Sequence, residues 1–66
     1  MEVKYPNIKV RLTGTDGNAF SIMGKVGLAL KRAKVPAGEV EEFYEEAKSG
    51  SYDHLLQTAC RWVNVS

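Results

Sequence analysis

Apolar and polar residues alternate near the start of the chain, with Ile8, Val10 and Leu12 on one side and Lys9, Arg11 and Thr13 on the other. A period of two predicts a half-buried strand with a basic outer face. Pro6 stands just before it, where a missing N–H does least harm to a ladder. The run Thr13-Gly14-Thr15-Asp16-Gly17-Asn18 is dense in turn formers and closes the strand. From Ala19 the period lengthens. Ile22, Met23, Val26, Ala29, Leu30 and Ala33 share one face of a helix predicted over 19–34, with Asn18 placed to cap its first turn. Lys31, Arg32 and Lys34 crowd its last turn, which suits the helix dipole. Pro36 then stops it and suits the first turn of the next helix.

The second helix is predicted over 37–48. Val40, Phe43, Tyr44 and Ala47 follow helical spacing, while Glu39, Glu41, Glu42, Glu45 and Glu46 take the other side. Gly50, within Ser49-Gly50-Ser51, is available as a left-handed cap. Ser51 or Asp53 can begin a third helix. Its apolar stripe reads Tyr52, Leu55, Leu56, Ala59, Cys60 and Val63, with Trp62 at the edge. Leu30, Phe43, Leu55 and Leu56 are expected to share one core, and Cys60 to be inert packing. Val63-Asn64-Val65 alternates again, as either the end of the helix or a short strand. A strand there would satisfy the first strand's hydrogen bonds and would run parallel to it. The expectation is one α+β domain over 1–66 in the order β-α-α-α-β. Three helices pack on a short two-stranded sheet, and residues 1–6 form a flexible lead-in.

Composition narrows the chemistry. A chain of 66 residues buries only about 60% of the surface its unfolded form exposes, so its stability margin is thin. Small domains offset this with disulfides, a metal or association. Cys60 and His54 are the only cysteine and the only histidine. That excludes an internal disulfide and falls short of a zinc set, which leaves association, although many domains of this length fold alone. Nine basic and eight acidic residues give a net charge of +1, too little to argue for nucleic acid from bulk charge. No apolar run approaches the roughly 20 residues that span a bilayer. Met1-Glu2-Val3-Lys4-Tyr5-Pro6 has no apolar signal core, so a cytoplasmic protein is expected.

Some runs resemble a family of short uncharacterised proteins found in bacterial and phage genomes. They are Thr15-Asp16-Gly17-Asn18, Ala29-Leu30-Lys31-Arg32-Ala33, the Glu-rich second helix and, above all, Ser49-Gly50-Ser51-Tyr52-Asp53-His54-Leu55-Leu56-Gln57-Thr58 with Trp62-Val63. The resemblance covers about three quarters of the chain and implies no activity, so no functional residue follows from it. The family's pattern carries glycine at the position of Lys34, a neat helix stop, and this chain departs from it there.

The candidate chemistry is sparse. The Gly14–Gly17 loop opens a helix and could cradle a phosphate, but it lacks the Gly-Lys-Ser/Thr register of a nucleotide loop, and Asp16 would repel an anion. Helices one and two resemble a helix-turn-helix in spacing, but five glutamates on the second exclude it from a DNA groove. Asp53 and His54 are adjacent on a helix and do not face each other as an acid–base pair. Asp53, Gln57 and Arg61 form a polar ladder at i, i+4 spacing. No enzyme, metal or cofactor is expected. The outward side of helix one carries Phe20, Gly24, Gly27 and Leu28, with Lys31 at the rim. Glycine in an exposed helix costs about 1 kcal/mol relative to alanine, so its use there suits close approach by another surface, either a partner's or that of helix two or three of the same chain. The favoured reading is a protein–protein interaction module using those five residues, with a homodimer among its partners. The alternative is a nucleic-acid-binding protein using Lys4, Lys9, Arg11, Lys25 and Arg32, and a third reading is a small nucleotide- or phosphate-binding protein using Gly14–Gly17.

Overall fold

A computed structural model describes residues 3–12 and 17–66. Its elements run β1 (Tyr5–Val10), α1 (Ala19–Arg32), α2 (Ala37–Ala47), α3 (Tyr52–Trp62) and β2 (Val63–Val65). This is the expected β-α-α-α-β order. Three helices alternate in direction between the strands, so β1 and β2 emerge parallel, with Val10 opposite Val65. Thr13 and most of the predicted Gly14–Gly17 loop lie outside the described residues.

Local chemistry sets the helix ends. Asn18 caps α1, its Oδ1 accepting from the Phe20 N–H at 2.8 Å. Of the two predicted caps for α3 it is Ser51 that serves, its Oγ accepting from the His54 N–H. The end of α1 is unusual. Lys34 has φ 63°, in the left-handed region where a Cβ crowds the neighbouring carbonyl. The Val35 N–H donates to the Leu30 carbonyl and the Lys34 N–H to the Lys31 carbonyl, both at 3.0 Å. This is the pair of bonds that glycine ordinarily closes. Lysine closes it here, so the helix stop is made without glycine and carries added strain. Lys34→Gly should therefore raise stability by about 1 kcal/mol, the cost of a left-handed non-glycine residue. Chemical denaturation of both proteins checks this, and a less stable glycine variant would refute the strain.

Three sequence expectations are corrected. Pro6 lies within β1, not before it. Between Tyr5 and Lys9 the first strand advances four residues while β2 advances from Val63 to Asn64, so the ladder bulges there. The ring nitrogen of Pro6 has no hydrogen to give a ladder, which fits a break at this point. Gly50 does not cap α2 in a left-handed conformation. The C-cap is Lys48 at φ −92°, and Gly50 is small because a Cβ there would meet the His54 ring at 2.9 Å. The stripe of α3 is also rotated. Leu55, Thr58, Ala59 and Trp62 are buried, Leu56 is half-buried at the margin, and Tyr52 and Cys60 are exposed.

The core joins Val10 and Val63 of the sheet to Ile22, Val26 and Leu30 of α1, Val40 and Phe43 of α2, and Leu55 and Trp62 of α3. Phe43 sits at its centre, edge-on to Trp62 with 5.6 Å between ring centroids. Thr58 is the one buried polar residue among those described. Its Oγ1 donates to the His54 carbonyl at 2.8 Å, so the hydroxyl enters the core with its hydrogen bond made.

Candidate functional site

The predicted partner-binding row on α1 divides between different surroundings. Phe20 is 80% exposed and Leu28 49%. Gly24 is exposed, and no atom of the chain lies within 4 Å of a Cβ built on it. Lys31 is exposed and borders a cleft between α1 and α2 with Val35, Val40 and Tyr44. Gly27 corrects the expectation, because it is buried. A Cβ there would fall on the ring of Tyr44, so glycine at this position lets α2 approach α1. The close approach inferred from the sequence is real, but it is made within the chain.

Leu28 lies elsewhere, in a groove of about 480 Å³ between β1 and α1. Asn7, Ile8, Lys9, Val10 and Arg11 form one wall. Lys25, Leu28, Ala29, Arg32 and Ala33 form the other. Four of the five predicted nucleic-acid-binding residues therefore meet in one place, and Leu28 of the protein-binding set meets them there. Among the described lining residues there is neither a carboxylate nor an aromatic ring. The α1 wall is shaped by Ala29 and Ala33, whose short side chains leave the groove open. The sequence signal for them was present, as two alanines four residues apart on a face assigned to the core. Of these, Ala29 is half-buried and Ala33 exposed.

Lys4, the fifth predicted residue, belongs to another cluster. Its Nζ lies 2.9 Å from Glu39 Oε1 and 4.3 Å from the centroid of the Trp62 ring. Tyr5 Oη donates to the same carboxylate oxygen at 2.6 Å. The start of β1, expected to belong to a flexible lead-in, is thus held against α2 and α3. The two hydrogen bonds, Tyr5 first and then Lys4, hold the Glu39 carboxyl below its ordinary value of 4.5. The bond to Glu39 likewise raises Lys4 above 10.5 and Tyr5 above 10.0. The signs follow from proton binding in the folded and unfolded chains. Glu39's contribution is present above 4.5 and is lost as pH falls through its lowered value. Those of Lys4 and Tyr5 are present below 10.5 and 10.0 and are lost as pH rises through their raised values. Glu39→Gln should lower the melting temperature near neutral pH, and the gap to wild type should close in acid. Thermal melts of both proteins across pH test this, and a gap that stays constant below pH 4.5 would refute the ionised cluster.

The remaining polar groups of α3 are tied to the end of α2. His54 Nε2 donates to the Glu46 carbonyl at 2.9 Å, with Ser49 Oγ 3.2 Å from the same nitrogen. Arg61 pairs with Glu46 Oε1 at 3.1 Å, and Trp62 Nε1 donates to Oε2 of that residue at 3.4 Å. Arg61 thus braces α2 and does not simply extend a ladder along its own helix. Two of the five glutamates, Glu39 and Glu46, hold elements together in this way. Cys60, predicted as packing, is exposed and shares a shallow apolar depression with Leu56, Gln57 and Arg61. Among the described residues, no three of His, Cys, Asp and Glu are placed to hold a metal ion. No described helix is long and apolar enough to cross a membrane.

No protein-family model matches the sequence. Neither the curated proteins nor the solved structures yield a significant match.

Proposed function

We propose that this domain is a non-catalytic binding module whose protein partner seats in the groove between β1 and α1. The observation that carries this reading is the convergence of Leu28 with Lys9, Arg11, Lys25 and Arg32 on one aliphatic-floored groove. The cations surround apolar surface that a chain this small otherwise does well to bury, and exposed apolar surface with a polar rim marks contact sites. Gly24 and Phe20 extend the contact along α1 towards its N-terminus, and Lys31 stands at its far side.

Nucleic acid is the second reading, favoured by the four cations. The described walls of the groove offer no ring on which a base could stack, and stacking is the main sequence-tolerant term in single-strand binding. The aliphatic floor suits protein side chains better. The test compares tagged wild type with Leu28→Asp, an exposed position where folding can be confirmed by circular dichroism. A protein that co-purifies with wild type and is lost from the variant supports the reading. Equal recovery with both, or recovery of nucleic acid alone, refutes it. Sedimentation across concentrations shows whether that partner is a second copy.

A further inference from the structure

The groove follows the edge of a strand. Successive side chains of a strand point to opposite faces of its sheet, yet five consecutive residues of the chain, Asn7 to Arg11, line this one groove. Only a groove running along the edge of β1 touches both sets. Among the described residues the sheet has two strands, and β2 occupies the opposite edge. The Val10 carbonyl accepts from Ser66 N–H at 3.0 Å, and the Leu12 N–H donates to the Ser66 carbonyl at 2.9 Å. Backbone groups alternate sides along a strand. With Val10 and Leu12 turned towards β2, the N–H and carbonyl of Lys9 face the groove.

We infer, building on the binding role proposed above, that the groove takes an extended acidic segment of a partner protein, which adds as a third strand along β1. Strand addition gives affinity through main-chain bonds and selectivity through pockets for alternate side chains. The groove supplies both. The Lys9 backbone offers the bonds, and Ile8, Leu28 and Ala29 receive every second side chain. Side chains on the other face meet Lys9, Arg32 stands at the rim of the α1 wall, and carboxylates complement the charge of both. The same cations disfavour a second copy's β1 edge, since pairing would bring lysine and arginine against their own kind. Pro6 and the bulge before Lys9 blunt the first half of the strand, so the docking edge is short and begins near Asn7.

The probe is a capped peptide of about six residues alternating glutamate and valine, long enough at about 3.3 Å per residue to span Asn7 to Arg11, titrated into isotope-labelled domain. Resonance shifts should be confined to the groove, and the Lys9 amide should gain at least about tenfold protection from hydrogen exchange, as a bonded strand amide does. Binding should weaken with salt and fall about tenfold in Lys9→Glu and in Arg32→Glu, both at exposed positions. N-methylation of alternate peptide amides should abolish binding in one register and spare it in the other. If the peptide shifts the groove but leaves Lys9 exchange unchanged and tolerates methylation in both registers, strand addition is overturned while the binding role stands. Equal binding of a lysine–valine peptide overturns the acidic preference. Shifts produced only by a single-stranded oligonucleotide overturn the inference and the binding role together. No shift with either probe up to its solubility limit overturns the inference, and the Leu28→Asp co-purification then judges the role separately.

Discussion

Phe43→Ala should leave the domain largely unfolded at moderate temperature. Phe43 has no exposed surface and is the residue of α2 on which the other layers meet. Its ring lies edge-on to Trp62 and 5.6 Å from the ring of Tyr44. Truncating a buried phenylalanine costs about 3–5 kcal/mol, the lost transfer energy plus the cavity left behind. At roughly 0.05–0.15 kcal/mol per residue, a chain of this length holds only about 3–10 kcal/mol in total. The substitution therefore removes much or all of the margin. Phe43→Leu keeps most of the volume and should cost less than about 1.5 kcal/mol if its neighbours repack. Urea denaturation followed by circular dichroism separates the two. A near-native midpoint for Phe43→Ala would show that α2 does not organise the core.

Gly27→Ala should destabilise the domain, and removing the Tyr44 ring should reverse the sign. In wild type an added methyl meets that ring, and overpacking of this kind costs about 1–3 kcal/mol. The helix gains about 1 kcal/mol when glycine becomes alanine, so crowding wins. In a Tyr44→Ala background the crowding is gone and only the helical gain remains. Gly24→Ala is the control, because nothing approaches its Cβ within 4 Å. It should stabilise by about 1 kcal/mol in either background. Denaturation of the four proteins of the Gly27–Tyr44 cycle gives the coupling directly. Equal effects of Gly27→Ala with and without Tyr44 would mean that the ring is not what glycine accommodates. The contrast matters for the binding surface. Gly24 is available to a partner, whereas Gly27 is already used inside the molecule.

The helices, their order and the parallel strands were legible because each depends on short-range rules. Hydrophobic spacing marks a face, Asn18 and Ser51 satisfy the N–H groups that open their helices, and Pro36 prevents α1 from continuing. Even the end of α1 was half-legible. Pro36 and the basic last turn marked where the helix stops, but lysine at position 34 gave no sign of the left-handed conformation that ends it. The basic residues on and beside the first strand and along the first helix were likewise marked as a set, and four of its five members do converge.

What tertiary packing decided was the choice between equivalent local options. Two apolar rows run along α3, Leu55–Ala59–Trp62 and Leu56–Cys60–Val63, and periodicity ranks neither above the other. Burying the indole removes the larger apolar area from water, and Thr58 can follow it inwards because its hydroxyl bonds to the His54 carbonyl. Cys60 is then turned to solvent. On α1 the sequence shows two glycines without saying which will meet a ring, a matter decided by Tyr44 on another helix. Lys4 carries the same charge as Lys9 but faces a carboxylate and an indole supplied from α2 and α3. Short-range rules act between neighbours along the chain, so they specify elements. The groove, the braces and the surface of α1 depend on residues supplied by different elements, and their geometry exists only once those elements have packed.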